Sequence, residues 1–430
     1  MMTTPPRVAI IGAGSYVFTL GLLYDLTTAF PVPGGTLVLM DLDAEMADVM
    51  ARIARRMAAE AGTPVTVQAT GDRAAALAGA DFVTTSVAAQ IRARWETDKA
   101  ALRKYNIREI TSECGGVGGL SYTLRQASLL LDIARDMERL CPDAWLLNVS
   151  NPLPRLVTAV TRHTGIRTLG FCNASWGSDH GYENVAGLLG RDPRDLNVVS
   201  GGLNHFAWLL SATDRWTGED LRPAVDARLA VAPPPDAPVV MQYWRETGYY
   251  ALTGDEHMGE FVPFEPALSR EHTAHHGGDA ERTARRQALR EAAAGTRPWQ
   301  SLMAGRAWER PAEVIHALTT GTRRRLDMVN LPNRGAIAGL PDDAVVETPA
   351  IVADGTVTPV PLTMPAPLVD LWTRVSAVHT LAAEAAATGD RAILAEAIER
   401  DPAIGDRPAA HAAIADLLVA HADLLPRFAK

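Results

Sequence analysis

The sequence predicts an α/β protein, with a doubly wound parallel sheet in its first part and a mixed α+β region after it. Three observations carry that expectation. Short β-branched runs alternate with helical stretches through the first 150 residues, the pattern of a parallel sheet with helices on both faces. One such run, Val8-Ala9-Ile10-Ile11, leads directly into Gly12-Ala13-Gly14-Ser15 and a helical stretch. From about residue 198 the texture changes to short strands followed by a helical middle bearing Trp and Tyr.

In chain order, strands are expected at 8–11, 36–40, 65–68, 82–86 and 144–148, with a helix at 16–27 and Ala-rich periodic helices at 43–59 and 120–140. A sixth strand at 168–172 closes the sheet, and right-handed crossovers make it doubly wound. Short strands follow at 198–200 and 206–210. The segment 272–297 is polar, with His275-His276-Gly277-Gly278 before an Arg/Glu-rich helix, and is expected as a surface excursion of lid type. Residues 345–361 read as two strands about a turn at Ala353-Asp354-Gly355, and 367–430 as mostly Ala/Leu-rich helix. The chain thus divides into 1–195 and 196–430.

Composition excludes several classes. A net charge of −9 without a basic run argues against a nucleic-acid partner. Nothing approaches 18 unbroken apolar residues, so no membrane span is expected, and the N-terminal stretch lacks a signal-peptide cleavage pattern. Cys114, Cys141 and Cys172 make no disulfide framework and suit a reducing cytoplasm.

The loop after the first strand reads as a Rossmann-type dinucleotide site. Gly12 permits the tight turn, Gly14 lets backbone amides approach a pyrophosphate, and Ser15 opens toward the helix N-terminus. The third glycine of the usual fingerprint is replaced by Val17. Asp41, at the end of the second strand, is placed to bind ribose hydroxyls and favours NAD over its phosphorylated form, with Asp43 as the alternative. Cys172 ends the sixth strand, and His205 follows Gly201-Gly202-Leu203-Asn204. A thiolate and an imidazole suit a borderline divalent metal, although singly each is as readily a core side chain. Asn148 and Asn151 also sit at a strand end, where open α/β sheets bind ligands, and could equally cap a helix.

These motifs, in this order, resemble glycoside hydrolase family 4, the NAD- and divalent-metal-dependent glycosidases, or a closely related NAD-dependent family such as the sulfoquinovosidases. The resemblance covers Arg92-Ala93-Arg94, Glu113 with Gly116-Val117-Gly118-Gly119, Asn148-x-x-Asn151-Pro152 and Phe171-Cys172-Asn173. It continues through Asn204-His205-Phe206-x-Trp208, Glu256-His257-x-x-Glu260-Phe261 and Val329-Asn330-Leu331-Pro332-Asn333-Arg334-Gly335. It implies hydrolysis of a glycoside through transient NAD oxidation at carbon 3, metal-assisted deprotonation at carbon 2 and elimination of the aglycone, outside the usual two-carboxylate scheme. It implies NAD on the Gly12, Gly14, Ser15 and Asp41 site, and a divalent metal, Mn(II), on Cys172 and His205. Glu113 joins the catalytic set, while Arg94, Asn148, Asn151 and His257 are implied as substrate-binding. The base is implied as Tyr250, with neighbouring Tyr249, or its rival Asp255. Asn173 stands where some relatives carry an acid; an amide cannot donate a proton that way, so it orients substrate. A homo-dimer or homo-tetramer is also implied, with residues 196–430 as the substrate, metal and oligomerisation domain.

The branch signatures are mixed. Glu256-His257-x-x-Glu260-Phe261 resembles members acting on galactosides and uronides, whereas Cys172-Asn173 resembles phosphoglycosidases but is followed by Ala174-Ser175-Trp176 instead of an early Pro. Neutral, uronide, sulfoquinovoside and 6-phospho substrates all stay open. With only Lys99, Lys104 and Lys430 as lysines, Arg must carry any anion recognition, with candidates Arg94, Arg297 and the arginines near 272–297 and Arg323–Arg325. Two other classes compete: a malate/lactate-type dehydrogenase, and an NAD-binding sensor without turnover.

Overall fold

The β-branched runs of the first part pair as parallel strands in the computed structural model, which describes residues 2–109, 113–172, 174–175, 182–264, 278–303 and 309–429. They are β1 (Arg7–Ile11), β2 (Thr36–Met40), β3 (Thr66–Thr70), β4 (Phe82–Thr85), β5 (Trp145–Asn148) and β6 (Arg167–Gly170). Their order is β3-β2-β1-β4-β5-β6, all neighbours parallel. Sequence order therefore reverses at β1, which opens a crevice at the carboxyl ends of β1 and β4. Val8 to Ile11 and Leu37 to Met40 are buried throughout, as expected of strands covered on both faces.

The remaining strands extend the same sheet. β7 (Leu196–Leu203), β8 (Phe206–Asp214), β9 (Arg324–Pro332), β10 (Val345–Ala353) and β11 (Thr356–Pro359) give the order β6-β9-β10-β7-β8, with β11 on β10. The joints are narrow. β9 meets β6 antiparallel at Gly170 and Asn330, and β10 meets β7 at Glu347 and Gly202. Asn330 also faces Glu347 across β9 and β10, so Gly170, Asn330, Glu347 and Gly202 form one row across four strands. The expected boundary after residue 195 falls where β7 begins.

Several elements differ from expectation for local reasons. The strand expected through Cys172 stops at Gly170, so Phe171 and Cys172 lie just beyond its carboxyl end. Residues 198–200 and 206–210 lengthen into a full hairpin because each strand pairs the other from Leu196–Asp214 to Leu203–Phe206. After the glycine loop the α-helix is short, Thr19–Tyr24, and runs into a wider π-turn at Asp25–Ala29. Of the polar segment, residues 272–277 lie outside the described residues, and the rest is not detached: helix Asp279–Ala294 buries Leu289, Ala292 and Ala293 and pairs Arg286 with Asp43 and Arg290 with Glu45. Those two ion pairs span the chain to the helix Ala44–Ala61, a contact that periodicity does not report.

At the other end, helix Ala366–Thr388 and helix Arg407–Ala420 bury Ala382, Ala386, Ile414 and Leu417 in the same apolar cluster as helix Gly116–Leu140. Among the described residues no helix is long and apolar enough to cross a membrane.

Candidate active site

The glycine loop is shaped by its neighbours. Gly12 has φ +85°, and a Cβ there would come within 2.1 Å of the Ser86 carbonyl oxygen, so only glycine fits. Gly12 and Ala13 donate to the Met40 carbonyl at 2.9 and 3.0 Å. Gly14 donates to Asp41 Oδ2 at 2.8 Å, while Asp43 N donates to Asp41 Oδ1 at 2.9 Å. Asp41 is thereby fastened beside the loop. Asp43 caps its helix through Met46 N at 3.2 Å, and the Arg286 hydrogen bond holds its carboxyl below the usual range. Glu309 and Ser86 share a small apolar-sided cavity with Ile10, and burial pushes the Glu309 carboxyl up to about 7.

Asn204 and His205 form the turn between β7 and β8, His205 in the left-handed region at φ +60°. Thr253 Oγ1 donates to the His205 carbonyl at 2.9 Å, tying the turn down. The ring of His205 is buried between two thiols: Cys172 Sγ lies 3.2 Å from Nε2 and Cys114 Sγ 3.2 Å from Nδ1. The His257 ring stacks on it with centroids 3.9 Å apart. His257 Nδ1 donates to Glu260 Oε1 at 2.9 Å. The other Glu260 oxygen accepts from Gly115 N at 2.9 Å and from Cys114 N. Gly115 has no room for a side chain, since a Cβ would sit 1.8 Å from the Glu260 carbonyl oxygen.

Behind the turn lies a buried carboxylate. Glu347 accepts from Asn204 Nδ2 at 2.8 Å, Asn330 Nδ2 at 3.0 Å and Ser175 Oγ at 2.9 Å. Burial raises its pKa against the pull of those three donors. Glu113 accepts from Asn151 Nδ2 at 2.9 Å. The Asn148 amide is spent inside the fold, on Thr85 Oγ1 at 2.9 Å and the Ser150 backbone.

The electrostatics of this cluster favour neutral ligands. Burial pushes both thiols up, Cys172 assisted by Glu347 and Cys114 by Glu260 and Glu113. Burial, then His257 and His379, drives His205 well below the usual histidine range. His257 goes the other way: burial lowers it, but the Glu260 hydrogen bond and nearby carboxylates outweigh that and raise it. A bound divalent cation reverses the logic for a thiol, since coordination deprotonates it. Donor atoms of Glu113, His205 and His257 all lie within 4.8 Å of one another, as do those of Cys114, His205 and Glu260. The donor set fits a metal.

Three expected site residues are engaged elsewhere. Arg94 donates to Gln90 Oε1 at 3.1 Å and the Ala420 carbonyl at 3.2 Å and pairs with Asp423, which ties it to the C-terminal segment. Asp255 accepts from Val239 N at 2.8 Å and Val240 N at 2.9 Å, so both carboxylate oxygens anchor the head of helix Pro238–Thr247. Tyr250 lines a cavity with Asn184, Leu188, Arg228 and Pro234, and burial pushes its phenol up to about 12, the wrong direction for a base. Asn173 lies outside the described residues.

Among the expected anion binders, Arg297 is paired with Glu291 at 2.9 Å. Arg324 and Arg325 do reach the cavity beside Cys172, of about 80 Å³, together with Arg310, but Glu313 bridges Arg310 and Arg324 at 3.1 and 2.9 Å.

Residues the sequence reading passed over are Cys114, Glu260 and Glu347. Glu347 had a legible signal, an acid inside the apolar strand Val345–Ala353. Glu260 had the i,i+3 spacing to His257, whereas Cys114 had no signal, because its partner His205 lies 91 residues away.

Two family models together match most of the chain: one described as family 4 glycosyl hydrolase over residues 7–188, the other as family 4 glycosyl hydrolase C-terminal domain over 200–404. An α-glucosidase of Erwinia rhapontici is 29% identical across 91% of this chain and 92% of its own length. An α-galactosidase of Bacillus subtilis is 26% identical across 98% of this chain and 99% of its own. A 6-phospho-α-glucosidase structure from gut microorganisms, in complex with NAD and Mn2+, superposes with TM-score 0.76 at 23% identity, over 98% of this chain and 99% of that one, a likeness of fold.

Proposed function

The chain belongs to the family 4 glycosyl hydrolases and is a glycoside hydrolase, and from that premise we propose that it cleaves its glycoside with NAD and a divalent metal, Mn(II), as unconsumed cofactors. One observation carries the reading: the His205 imidazole and the Cys172 thiol, 33 residues apart in sequence, meet at 3.2 Å beyond the strand end. When bound, the two groups supply reversible oxidation at carbon 3 of the sugar and polarisation of its neighbouring oxygens, conditions under which loss of the carbon 2 proton expels the aglycone.

The chain's own residues prepare that chemistry. Gly12, Gly14 and Ser15 shape the turn that leads toward the first helix, against which a pyrophosphate would lie, and Asp41, fixed by two backbone amides, presents its remaining lone pairs to ribose hydroxyls. Cys172 and His205 hold the metal. The low basicity of His205 keeps its lone pair available at neutral pH. Glu113 and Asn151, joined at 2.9 Å, form a carboxylate–amide pair suited to two adjacent sugar hydroxyls. Asn148 holds the loop that carries Asn151, and Asn173, following the metal cysteine, orients the substrate. Asp255 serves as a helix anchor in this reading, and Arg94 as a clasp on the C-terminal segment. The substrate is a neutral glucoside or galactoside, or an acidic relative of one (uronide, sulfoquinovoside, 6-phospho).

A panel of nitrophenyl glycosides spanning those classes, assayed with NAD and Mn(II) and with each omitted, tests this. Hydrolysis is expected only with both present, with solvent deuterium entering carbon 2 of the product. Undiminished hydrolysis after NAD removal and chelation refutes it. Stoichiometric NADH would instead identify a dehydrogenase.

A further inference from the structure

His257 and Glu113 stand out as donors that the pair Cys172 and His205 does not use. The donor atoms of Glu113, His205 and His257 lie within 4.8 Å of one another. Three atoms no more than 4.8 Å apart share a point no farther than about 2.8 Å from each, so each donor moves inward by up to roughly 0.7 Å to reach a usual ion–ligand distance of about 2.1 Å.

The second feature is how His257 is held. Its Nδ1 donates to Glu260 Oε1 at 2.9 Å, and Glu260 is fixed by accepting from Gly115 N at 2.9 Å and from Cys114 N, 1% exposed in all. A carboxylate on one imidazole nitrogen fixes the tautomer, leaves the lone pair on the other nitrogen and raises its basicity. That is the arrangement typically found behind a metal-bound histidine. The His205 ring, stacked at 3.9 Å, is placed to share the same ion.

We propose that His257 is a further protein ligand of the divalent metal, beside His205, and that Glu260 is its positioning residue. The proposal rests on the reading that this chain holds a metal at Cys172 and His205.

The test uses metal binding alone, without substrate or turnover. Metal-free enzyme is titrated with Co(II), followed by the thiolate-to-cobalt charge-transfer band and by calorimetry, and the imidazole nitrogens on bound Mn(II) are counted by pulsed electron paramagnetic resonance. The wild-type enzyme is expected to show two imidazole nitrogens, a readout that needs no variant. His257→Ala should lower metal affinity at least about 100-fold, keep the thiolate band and show one nitrogen. Glu260→Gln should lower affinity about 10- to 100-fold with both nitrogens retained. A single nitrogen in the wild type, or wild-type metal affinity in His257→Ala together with a raised KM, overturns the proposal and returns His257 to substrate binding. Loss of the charge-transfer band in Cys172→Ser supports the underlying reading. Its persistence, or no stoichiometric Co(II) uptake by the wild type, overturns that reading separately.

Discussion

Replacing Glu347 with Ala removes the acceptor shared by Asn204, Asn330 and Ser175, at 2.8, 3.0 and 2.9 Å. The amide oxygens of Asn204 and Asn330 already lack partners, so the Asn330 amide would be left wholly unsatisfied in the interior and Asn204 would keep only its hydrogen bond to the Cys172 sulfur. A buried donor deprived of its acceptor costs about 1–3 kcal/mol, and three of them set the scale at roughly 3–5 kcal/mol once water enters the vacated space. Urea denaturation reads this as a lowered midpoint with an unchanged slope. Glu347→Gln keeps one acceptor oxygen and should lose about 1–3 kcal/mol.

The pH dependence has a definite sign. Burial raises the Glu347 pKa in the folded chain, so the folded state holds a proton that the unfolded state has released. Its contribution is therefore fully present below the unfolded carboxyl pKa, about 4.3, and is lost as pH rises through the folded value. The difference between wild type and Glu347→Gln should shrink accordingly as pH rises through that interval. A loss under about 1 kcal/mol for Glu347→Ala, or a pH trend of opposite sign, refutes the reasoning. Because Asn204 precedes His205 in the turn, metal affinity should fall in the same variant.

Gly12→Ala places a Cβ 2.1 Å from a backbone oxygen at φ +85°, so NAD affinity measured by fluorescence quenching should collapse; retained affinity would show that the loop does not face the dinucleotide. Asp255→Asn keeps one of two backbone acceptances at the head of Pro238–Thr247 and should cost about 1–2 kcal/mol in denaturation with kcat little changed. A kcat loss of about 100-fold or more with the fold intact would restore Asp255 as a base. Arg286→Ala breaks a half-exposed pair with Asp43 at 2.6 Å and should cost under about 1 kcal/mol, less in high salt, while the Asp43 carboxyl titrates higher.

Much of the fold was legible because it is local. A buried parallel strand announces itself as a short apolar run, and Gly12 and Gly14 announce a turn that tolerates no side chain. β9 and helix Pro311–Thr320 were not read at all, since Arg324, Arg325 and Asp327 interrupt the apolar pattern that β9 completes only through its partner β10. Within the candidate site, Cys172, His205, Glu113, Asn151 and His257 were legible as types in motifs. Arg94, Asp255 and Tyr250 were legible in the same way, yet a clasp, a helix anchor and a separate cavity claim them. Residue type records what a side chain can do, and only its neighbours decide which of those things it does.

The sequence by itself determined the strand–loop–helix at Gly12–Ser15, the sheet class and the kinds of donor available, because each depends on residues adjacent in the chain. Tertiary structure decided which donors meet. The row Gly170, Asn330, Glu347 and Gly202 carries the end of β6 and the turn after β7 to the same place, and so sets Cys172 against His205. That row exists because β9 and β10, from more than 100 residues further on, insert between β6 and β7, and no periodicity within a strand encodes which strand will lie beside it.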